Sequence, residues 1–346
     1  MEILITGGNG LLGRHLIPVL QERGDTVRVF TLPGEDTTWL QERGVAVFSG
    51  DVRVPDTLTA PMNGAEGVLN LAGMMGPWLP MKDYRAVNVS GTENVCRAAL
   101  AVGVSRFVHI SSWTVYGMGL GRPAREDFPL RPFQEPYAVS KAEGDVAVQA
   151  MIAEDDLPAV IVRPATFFGP GDLLHFSRMS DRVRDGKGVI IGRGGNALPF
   201  AYVSDIVQGV LLALDNEHAV GQAYNITNDQ PMTQQQFLDA IADELGVAKP
   251  ARHVPYHALY CAGDLAERVA YGTRSKNKPF VTRLGVKLFG GDNRHSIEKA
   301  RSELGFTPRV SIREGIRLSA QWYLGQGNGG RGRPSAPDTL APRLIA

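Results

Sequence analysis

The stretch I-L-I-T-G-G-N-G-L-L-G, residues 3–13, decides the fold of this chain. Its first three residues form an apolar run that predicts a buried strand, and three glycines follow at once in G-x-G-x-x-G spacing, at Gly8, Gly10 and Gly13. A tight turn from strand to helix needs the backbone freedom of glycine, and the free N–H groups at the helix start can hold a pyrophosphate. An apolar stripe at helical spacing continues to Gly24, and a second apolar run follows. The stretch therefore predicts a strand, a phosphate-binding turn, a helix and a second strand.

The same alternation continues along the first half of the chain. Further short apolar runs at residues 45–48, 68–71 and 106–110 predict strands, and residues 88–101 have the pattern of a helix. Strands that alternate with helices, without hairpins, predict a parallel sheet covered by helices on both faces. The predicted fold class is α/β, a doubly wound parallel sheet of the Rossmann type, with a smaller α/β lobe that binds the substrate.

Composition limits the possible partners. The 346 residues are 43% hydrophobic, and Lys plus Arg equals Asp plus Glu at 36 each. Balanced charge gives no reason to expect nucleic acid or an anionic membrane as a partner. Cys96 and Cys261 fit no metal-binding spacing, so we expect no metal site, two buried small residues and a reducing compartment. No apolar run is long enough to span a bilayer, and the expected location is cytoplasmic.

The fifth predicted strand runs into a pair of serines, Ser111 and Ser112, and a helix that follows carries Tyr137 and Lys141. Serines at the end of a parallel strand lie at the edge where such sheets bind ligands. Tyrosine and lysine four residues apart share one face of a helix. A nearby cation favours the phenolate and lowers the pKa of the tyrosine, which makes it usable as an acid and base.

In this order, the glycine turn, the serine pair and Y-x-x-x-K resemble the short-chain dehydrogenase/reductase superfamily, and its extended branch in particular. The resemblance runs from Met1 to about Leu324. The other motifs that carry it are G-D-V-R at 50–53, N-L-A-G at 70–73, N-V-x-G-T at 88–92, V-Y-G at 115–117, R-P-x-x-x-x-G-P-G at 163–171, Y-V-x-D at 202–205 and K-A-x-x-E-L-G-F at 299–306.

The resemblance implies roles for four catalytic residues. Tyr137 would exchange a proton with the substrate oxygen, and Ser112 would hydrogen-bond that oxygen. Lys141 would hold the nicotinamide ribose and lower the pKa of Tyr137, and Asn88 would support the lysine. Asp51 would meet the adenine, or else serve as a turn residue. The cofactor-binding residues that the resemblance implies are Gly7, Gly10, Leu11, Leu12, Gly13, Thr31, Asp51, Val52, Leu71, Ala72, Gly73, Asn88, Ser111, Tyr137, Lys141, Pro164 and Thr166.

The cofactor is expected to be NAD or NADP, with a slight preference for NADP. Thr31 stands at the end of the second strand, where an acidic residue would bind the adenosine ribose and repel a 2′-phosphate. Its absence removes the barrier to NADP. Arg14 and Arg53 would reach a 2′-phosphate only if the fold brings them close.

Three absences bear on the substrate. Trp113 and Thr114 stand where sugar-nucleotide dehydratases of this branch carry an Asp-Glu pair, so dehydration is not expected. Leu198 and Phe289 replace arginines that grip a nucleotide diphosphate in epimerases. An apolar substrate fits these positions better, as in the 3β-hydroxysteroid dehydrogenase group, which the segment 279–296 resembles. Arg294 and His295, however, match residues of many sugar-nucleotide members and leave a shifted diphosphate site open.

We therefore expect an NAD(P)-dependent enzyme that interconverts a secondary alcohol and a ketone on a hydrophobic substrate, of the 3β-hydroxysteroid or 3-keto acid type, by hydride transfer. A sugar-nucleotide epimerase, similar to UDP-glucose 4-epimerase, is the alternative. A non-catalytic NAD(P)-binding sensor or scaffold is the alternative from another class.

The expected domains are a cofactor-binding domain at 1–170 and 200–227, a substrate lobe at 171–199 and 228–324, and a flexible tail at 325–346. Residues 254–271 predict an amphipathic helix in the lobe, either an ordinary lid helix or a segment that meets a membrane. The candidates for its apolar face are Leu259, Tyr260, Ala262, Leu265, Ala266 and Val269. Extended-branch relatives commonly pair through the helix that bears the tyrosine and lysine, so a homodimer is expected.

Overall fold

The computed structural model describes residues 1–76, 78–273, 275 and 277–326. Its strands are β1 (Glu2–Thr6), β2 (Thr26–Thr31), β3 (Ala46–Ser49), β4 (Gly67–Asn70), β5 (Arg106–Ile110), β6 (Ala159–Pro164), β7 (Thr166–Phe168), β8 (Ile190–Ile191), β9 (Phe200–Tyr202), β10 (Ala223–Ile226) and β11 (His253–Val254). Seven of them form one sheet in the order β10-β6-β5-β4-β1-β2-β3, and every pairing in it is parallel. The predicted doubly wound parallel sheet is confirmed.

Helices cover both faces of this sheet. They are α1 (Leu11–Glu22), α2 (Thr38–Glu42), α3 (Thr59–Met62), α4 (Met81–Arg85), α5 (Thr92–Val102), α6 (Pro136–Asp155), α7 (Phe176–Arg184), α8 (Val203–Asp215), α9 (Gln234–Leu245), α10 (Tyr256–Gly272), α11 (Arg283–Gly290), α12 (Glu298–Leu304) and α13 (Ile312–Gly325). A π-helical turn, Ala86–Gly91, leads directly into α5.

Alternation along the strands feeds two apolar cores. Ile3 and Ile5 of β1 are buried in one core, and Leu4 between them is buried in the other. This happens because successive side chains of a strand point to opposite faces, so a strand covered on both faces is apolar throughout. The first core also contains Phe237 of α9 and Ile316 of α13, so the sheet and the predicted substrate lobe share continuous apolar packing.

Helix α10 corrects one sequence expectation. Ala262, Leu265 and Val269, which were expected on its apolar face, are exposed, and Leu265 is 64% exposed. The side that packs inward carries Glu267 and Ala270 instead. A buried carboxylate was not expected there. Both of its oxygens accept hydrogen bonds from Arg283 on α11, which offsets the cost of burying the charge.

Two smaller expectations also change. Cys261 lies on the outer side of α10 and is exposed, whereas Cys96 is buried as predicted. Helix α13 extends to Gly325, one residue into the predicted tail, and the rest of that tail lies outside the described residues from position 327 onward. Within the described ranges, no helix combines the length and apolarity needed to cross a membrane.

Candidate active site

The glycine turn between β1 and α1 is packed too tightly for side chains. A Cβ atom added to Gly13 would lie 2.1 Å from the carbonyl oxygen of Gly8, and one added to Gly7 would lie 2.9 Å from Cα of Ala72. Gly7 also has a φ of +66°, which favours glycine. Gly10 caps α1, and the next two residues, Leu11 and Leu12, start the helix. The N-terminus of α1 therefore meets the edge of the sheet without side chains between them, a geometry that fits the pyrophosphate of a dinucleotide.

Asn9, in the middle of this turn, organises a cluster that the sequence did not reveal. Its Oδ1 accepts hydrogen bonds from Trp39 Nε1 at 2.6 Å and Arg14 Nη2 at 3.1 Å. The Arg14 guanidinium stacks over the Trp39 ring at 4.6 Å. Asn9 Nδ2 donates to Glu35, in the loop after β2, at 3.2 Å. The fold thus brings Arg14 to the side of the turn nearest the end of β2, where Thr31 is buried.

Arg53 is differently placed. Its guanidinium binds the carboxylate of Asp51, and its backbone N–H donates to the same carboxylate at 2.9 Å. The hydrogen bonds from Arg53 hold the pKa of Asp51 below its usual range. The Asp51 carboxylate therefore holds the turn after β3 through Arg53, and its neighbour Val52 is buried beside Gly91 of the π-helical turn.

The segment after β4 brings together the residues expected at the centre of the cofactor site. The backbone N–H of Ala72 donates to the Thr6 hydroxyl at 3.2 Å, and Leu71 N donates to the Thr6 carbonyl at 3.1 Å. A Cβ atom added to Gly73 would lie 3.5 Å from Oδ1 of Asn88 and 3.8 Å from Nζ of Lys141. Three of the predicted site residues are therefore close neighbours.

Ser112 and Tyr137 also meet. Ser112 follows β5, its Oγ accepts from the Thr114 N–H at 3.2 Å, and its side chain lies close enough to Tyr137 to act on the pKa of the phenol. Glu135 caps α6 by accepting from the N–H of Tyr137 at 3.0 Å, which fixes the helix start that carries the phenol. Burial raises the pKa of Tyr137, and the neighbouring Ser112 counters it only in part. The net direction is opposite to the lowering expected from Lys141.

Lys141 lies one turn further along α6 and is 6% exposed. Its ammonium group donates to the carbonyl oxygen of Ile110, the last residue of β5, at 2.5 Å. Burial lowers its pKa to about 8, and the charge of Asp145 opposes that shift. The lysine is therefore a buried cation anchored to the same strand end that presents Ser112.

Asn88 is positioned by the π-helical turn. Its Oδ1 accepts from Met74 N at 2.7 Å and its Nδ2 donates to Ser140 Oγ at 2.9 Å. Gly144 of α6 packs on its carbonyl so closely that an added Cβ would lie 2.2 Å from the oxygen. The asparagine therefore joins the segment after β4 to α6, next to the lysine. The sequence predicted the helix but gave no sign of the π-helical turn.

Ser111, expected to contact the cofactor, has its side chain in a buried polar network. Its Oγ donates to Asp145 of α6 at 2.5 Å, and Arg163 of β6 binds both oxygens of that carboxylate at 2.8 and 2.9 Å. Arg163 also donates to the hydroxyl of Tyr116 at 2.8 Å, which in turn donates to Asn225 of β10 at 2.8 Å. Asp145 was missed, although its position four residues after Lys141 places both on one helix face.

Pro164 and Thr166 lie where β6 gives way to β7, beside the catalytic strand end. Thr166 Oγ1 accepts from Trp113 Nε1 at 3.0 Å. The ring of His295 meets Trp113 edge-on at 5.2 Å, and burial lowers the pKa of His295 to about 3. The imidazole is therefore neutral near pH 7 and presents no positive charge.

The positions that lack diphosphate-binding arginines are apolar in three dimensions as well. Leu198 and Phe200 are buried at 2% exposure each, and the Phe289 ring contacts Phe200 at 6.3 Å. Arg294, the nearby cation that the sequence left open, is paired with Asp292 at 2.8 Å. These contacts leave Arg294 already neutralised and His295 uncharged, which favours an apolar substrate over a diphosphate.

The assembled groups suit proton transfer to or from an oxygen atom. They provide a hydroxyl pair, Ser112 and Tyr137, and a buried cation, Lys141, beside a turn shaped for a dinucleotide. Among the residues that the structure describes, no cluster of three or more His, Cys, Asp or Glu side chains could hold a metal ion. The site therefore matches acid and base chemistry with a dinucleotide cofactor.

Comparisons with known proteins agree with this geometry. The chain is 31% identical to 2-alkyl-3-oxoalkanoate reductase of Stenotrophomonas maltophilia, over 92% of this chain and 98% of that protein. It is 31% identical to 3β-hydroxysteroid-dehydrogenase/decarboxylase isoform 1 of Arabidopsis thaliana, over 91% of this chain and 77% of that protein. UDP-glucuronic acid 4-epimerase of Bacillus cereus, solved with NAD, superimposes with a TM-score of 0.75 at 21% identity, over 94% of this chain and 99% of that one. The model of the NAD dependent epimerase/dehydratase family matches residues 3–227. The chain belongs to this family, and it is an NAD(P)-dependent enzyme of the extended short-chain dehydrogenase/reductase type.

Proposed function

We propose that this protein interconverts a secondary alcohol and a ketone on a bulky hydrophobic substrate, with Ser112, Tyr137 and Lys141 as its catalytic residues. The observation that carries the proposal is the placement of Ser112 beside Tyr137 at the end of β5, with the ammonium of Lys141 donating to Ile110 at the same strand end. Hydroxyl and phenol converge there on one place where a substrate oxygen can sit.

The chain's residues fit a nicotinamide dinucleotide. Gly7, Gly10 and Gly13 form a turn that added Cβ atoms would fill, and Gly73 leaves room next to Lys141 and Asn88. When bound, the cofactor supplies or accepts the hydride. In the reducing direction, Ser112 donates a hydrogen bond to the substrate carbonyl oxygen and Tyr137 gives it a proton. Lys141 stabilises the phenolate that remains, because an adjacent cation favours that anion.

The substrate proposal rests on the apolar contacts at Leu198, Phe200 and Phe289. A diphosphate bound in this lobe would lack the charge-assisted hydrogen bonds of the arginines that Leu198 and Phe289 replace, worth about 1.5–3 kcal/mol each. The names of the two relatives describe a 2-alkyl-3-oxoalkanoate and a 3β-hydroxysteroid, and both kinds of molecule combine a large apolar body with a reacting oxygen on a secondary carbon. We propose the same combination for this protein.

For the cofactor we propose NADP, with Arg14 near its 2′-phosphate. Thr31 puts no carboxylate at the end of β2, and Nη1 of Arg14 is buried without a hydrogen-bond partner. Arg14 is also held at the glycine turn by Asn9 and Trp39. Arg53 is not part of this proposal, because its guanidinium is occupied by Asp51.

The test is nicotinamide absorbance of the purified protein with oxidised cofactor. A 3β-hydroxysteroid and long-chain 2-alkyl-3-hydroxy acids are compared with UDP-sugars. We expect reduced cofactor to accumulate with an apolar alcohol. The Tyr137→Phe variant should lose at least 100-fold in rate, the range that a general acid and base supplies. Tyr323→Phe is the matched control, because that hydroxyl binds Asp181 on α7.

Other outcomes identify the alternatives. No net reduction, together with conversion of a UDP-sugar to its epimer, would replace this proposal with an epimerase that uses the same three residues. Cofactor binding without turnover of any ketone or sugar nucleotide would favour a non-catalytic sensor.

We also propose a homodimer that pairs through α5 and α6. Val102 and Val146 on these helices are 42% and 53% exposed, and burying them against a second copy would be favourable. Sedimentation should give a dimer at micromolar concentration, and a monomer there would contradict this proposal.

A further inference from the structure

A row of buried polar side chains lies under the carboxyl edge of the sheet. On one side, Thr6 Oγ1 donates to Asn70 Oδ1 at 2.7 Å, and Asn70 Nδ2 lies 3.2 Å from Nδ1 of His109. On the other side, Ser111 and Arg163 both donate to Asp145. The five neighbouring strands β1, β4, β5, β6 and β10 all contribute to this row, which sets it apart from the apolar cores on either face of the sheet.

Asp145 and Arg163 form a buried ion pair within the row. Their side chains are 0% and 3% exposed. Asp145 accepts four hydrogen bonds, two from Arg163 and one each from Ser111 and Gln149. Burial would raise the pKa of Asp145, but the bonds from Arg163, Ser111 and Gln149 outweigh it and hold that pKa below its usual range. The carboxylate is therefore ionised at neutral pH.

This carboxylate is connected to the catalytic residues by two short routes. Along α6 it lies one turn after Lys141, on the same face. Across to β5 it is bonded to Ser111, whose neighbours in the chain are Ile110, the acceptor for the Lys141 ammonium, and Ser112. A shift of Asp145 would therefore displace both the strand end that presents Ser112 and the anchor of the lysine.

We propose that Asp145 is a positioning residue, which fixes Ser112 and the Lys141 ammonium relative to Tyr137 through its hydrogen bond from Ser111 and its ion pair with Arg163. This inference rests on the proposed function, since it takes these three residues as the catalytic set. A buried ion pair by itself adds little net stability, because desolvation offsets the attraction. Stability therefore does not explain the Asp145 and Arg163 pair, whereas positioning the Lys141 ammonium does.

The electrostatic surroundings of Lys141 make the role measurable. The charged and titratable groups around the ammonium are Asp145 and Tyr137 on its own helix, His109 on β5 and Arg163 on β6. Burial and the cations lower the pKa of His109 to about 3, so it is neutral in the working range. Removing the Asp145 charge takes away an attraction and leaves Arg163 unpaired. Both effects disfavour the ammonium, so Lys141 must lose its proton at lower pH.

The experiment measures the dissociation constant of reduced nicotinamide cofactor by its fluorescence, from pH 6 to 10, in Asp145→Asn, Asp145→Glu and Ser111→Ala. This readout needs no substrate, so it stays informative if the proposed ketone chemistry fails. We expect Asp145→Asn to move the alkaline midpoint of affinity down by about one pH unit, in line with the effect of one close charge. Asp145→Glu keeps the charge and should restore the midpoint.

Ser111→Ala keeps the carboxylate and removes only one hydrogen bond. We expect its midpoint to stay in place while its cofactor affinity falls at least threefold, and its kcat should fall as well wherever turnover is found. If Asp145→Asn does not fold, this variant decides the matter alone, and unchanged affinity in Ser111→Ala would overturn the proposal.

Asp205→Asn is the matched control for loss of a buried carboxylate. Asp205 is 1% exposed and accepts from the backbone of Arg309 at 3.0 Å, on α8 at the other face of the sheet. We expect it to leave the midpoint unchanged. A folded Asp145→Asn protein with the wild-type midpoint would show that Asp145 is structural only.

Discussion

At the scale of single residues, the glycine turn and the shared helix face of Tyr137 and Lys141 could be predicted because their spacing is characteristic. Gly13 must lack a side chain, since any Cβ would overlap the Gly8 carbonyl. Tyr137 and Lys141 are four residues apart and therefore share one face of α6. Asp145 carries a similar signal at the next helical turn, but a charged residue at that spacing is more often a surface residue. Asn225 carries no local signal, because it reaches the network from a distant strand.

Gly13→Ala should weaken cofactor binding at least tenfold. The added methyl would lie 2.1 Å from a carbonyl oxygen, so α1 must move away from the strand. Its N-terminal N–H groups would then no longer point at the pyrophosphate. Fluorescence titration with reduced cofactor measures the effect. Gly195→Ala is the control, because an added Cβ there meets nothing within 4 Å, and equal losses in both variants would contradict the argument.

Thr31→Asp should change the preference between the two cofactors. A carboxylate at the end of β2 repels a 2′-phosphate and can accept hydrogen bonds from the ribose hydroxyls of NAD. We expect affinity for NADPH to fall at least tenfold relative to NADH. Thr31→Asn has the same shape without the charge and should leave the ratio nearly unchanged. If both variants behave alike, the side chain at this position does not select the cofactor.

At the scale of elements, strands were predicted better than helix faces. The period of two in a strand covered on both faces leaves little choice, and β5 has the predicted bounds, Arg106–Ile110. Helix α10 was predicted as an element, but its buried side was wrong. Glu267 packs inward because Arg283 on α11 satisfies it, through N–H at 2.7 Å and Nε at 2.7 Å. Sequence periodicity cannot show such a partner, which lies 16 residues away.

Glu267→Gln should destabilise the protein by about 1.5–3 kcal/mol, the range for hydrogen bonds to charged groups. The carboxylate is buried at 6% exposure and holds α10 on α11. Leu265→Ser on the outer side of the same helix should change stability by no more than about 0.5 kcal/mol. Urea unfolding of both variants provides the comparison. A larger effect from Leu265→Ser would mean that this face is covered in solution.

At the scale of the whole molecule, the folded interior encloses several titratable groups whose effects on stability oppose each other. Burial and nearby cations lower the pKa of His109 to about 3, and burial lowers that of His295 to about 3. An unfolded chain takes up these protons near pH 6.5, so each histidine costs stability as the pH falls below that value. Burial raises the pKa of Asp205 to about 6. The folded state therefore gains a proton there before the unfolded state does, and this group adds stability as the pH falls from about 6 to 4.

The effect of the buried histidines on the free energy of unfolding should exceed that of Asp205. Burial also lowers the pKa of His15 and His175, so several histidines oppose Asp205, and the free energy of unfolding should fall as the pH drops from 6 to 4. His109→Gln removes one of these histidines, each worth about 1.4 kcal/mol per pH unit, so urea unfolding at each pH should show a shallower slope than the wild type over this range. His218→Gln, at an exposed position, should keep the wild-type slope. A His109→Gln protein as acid-sensitive as the wild type would show that protonation of other groups governs the acid limit of this fold.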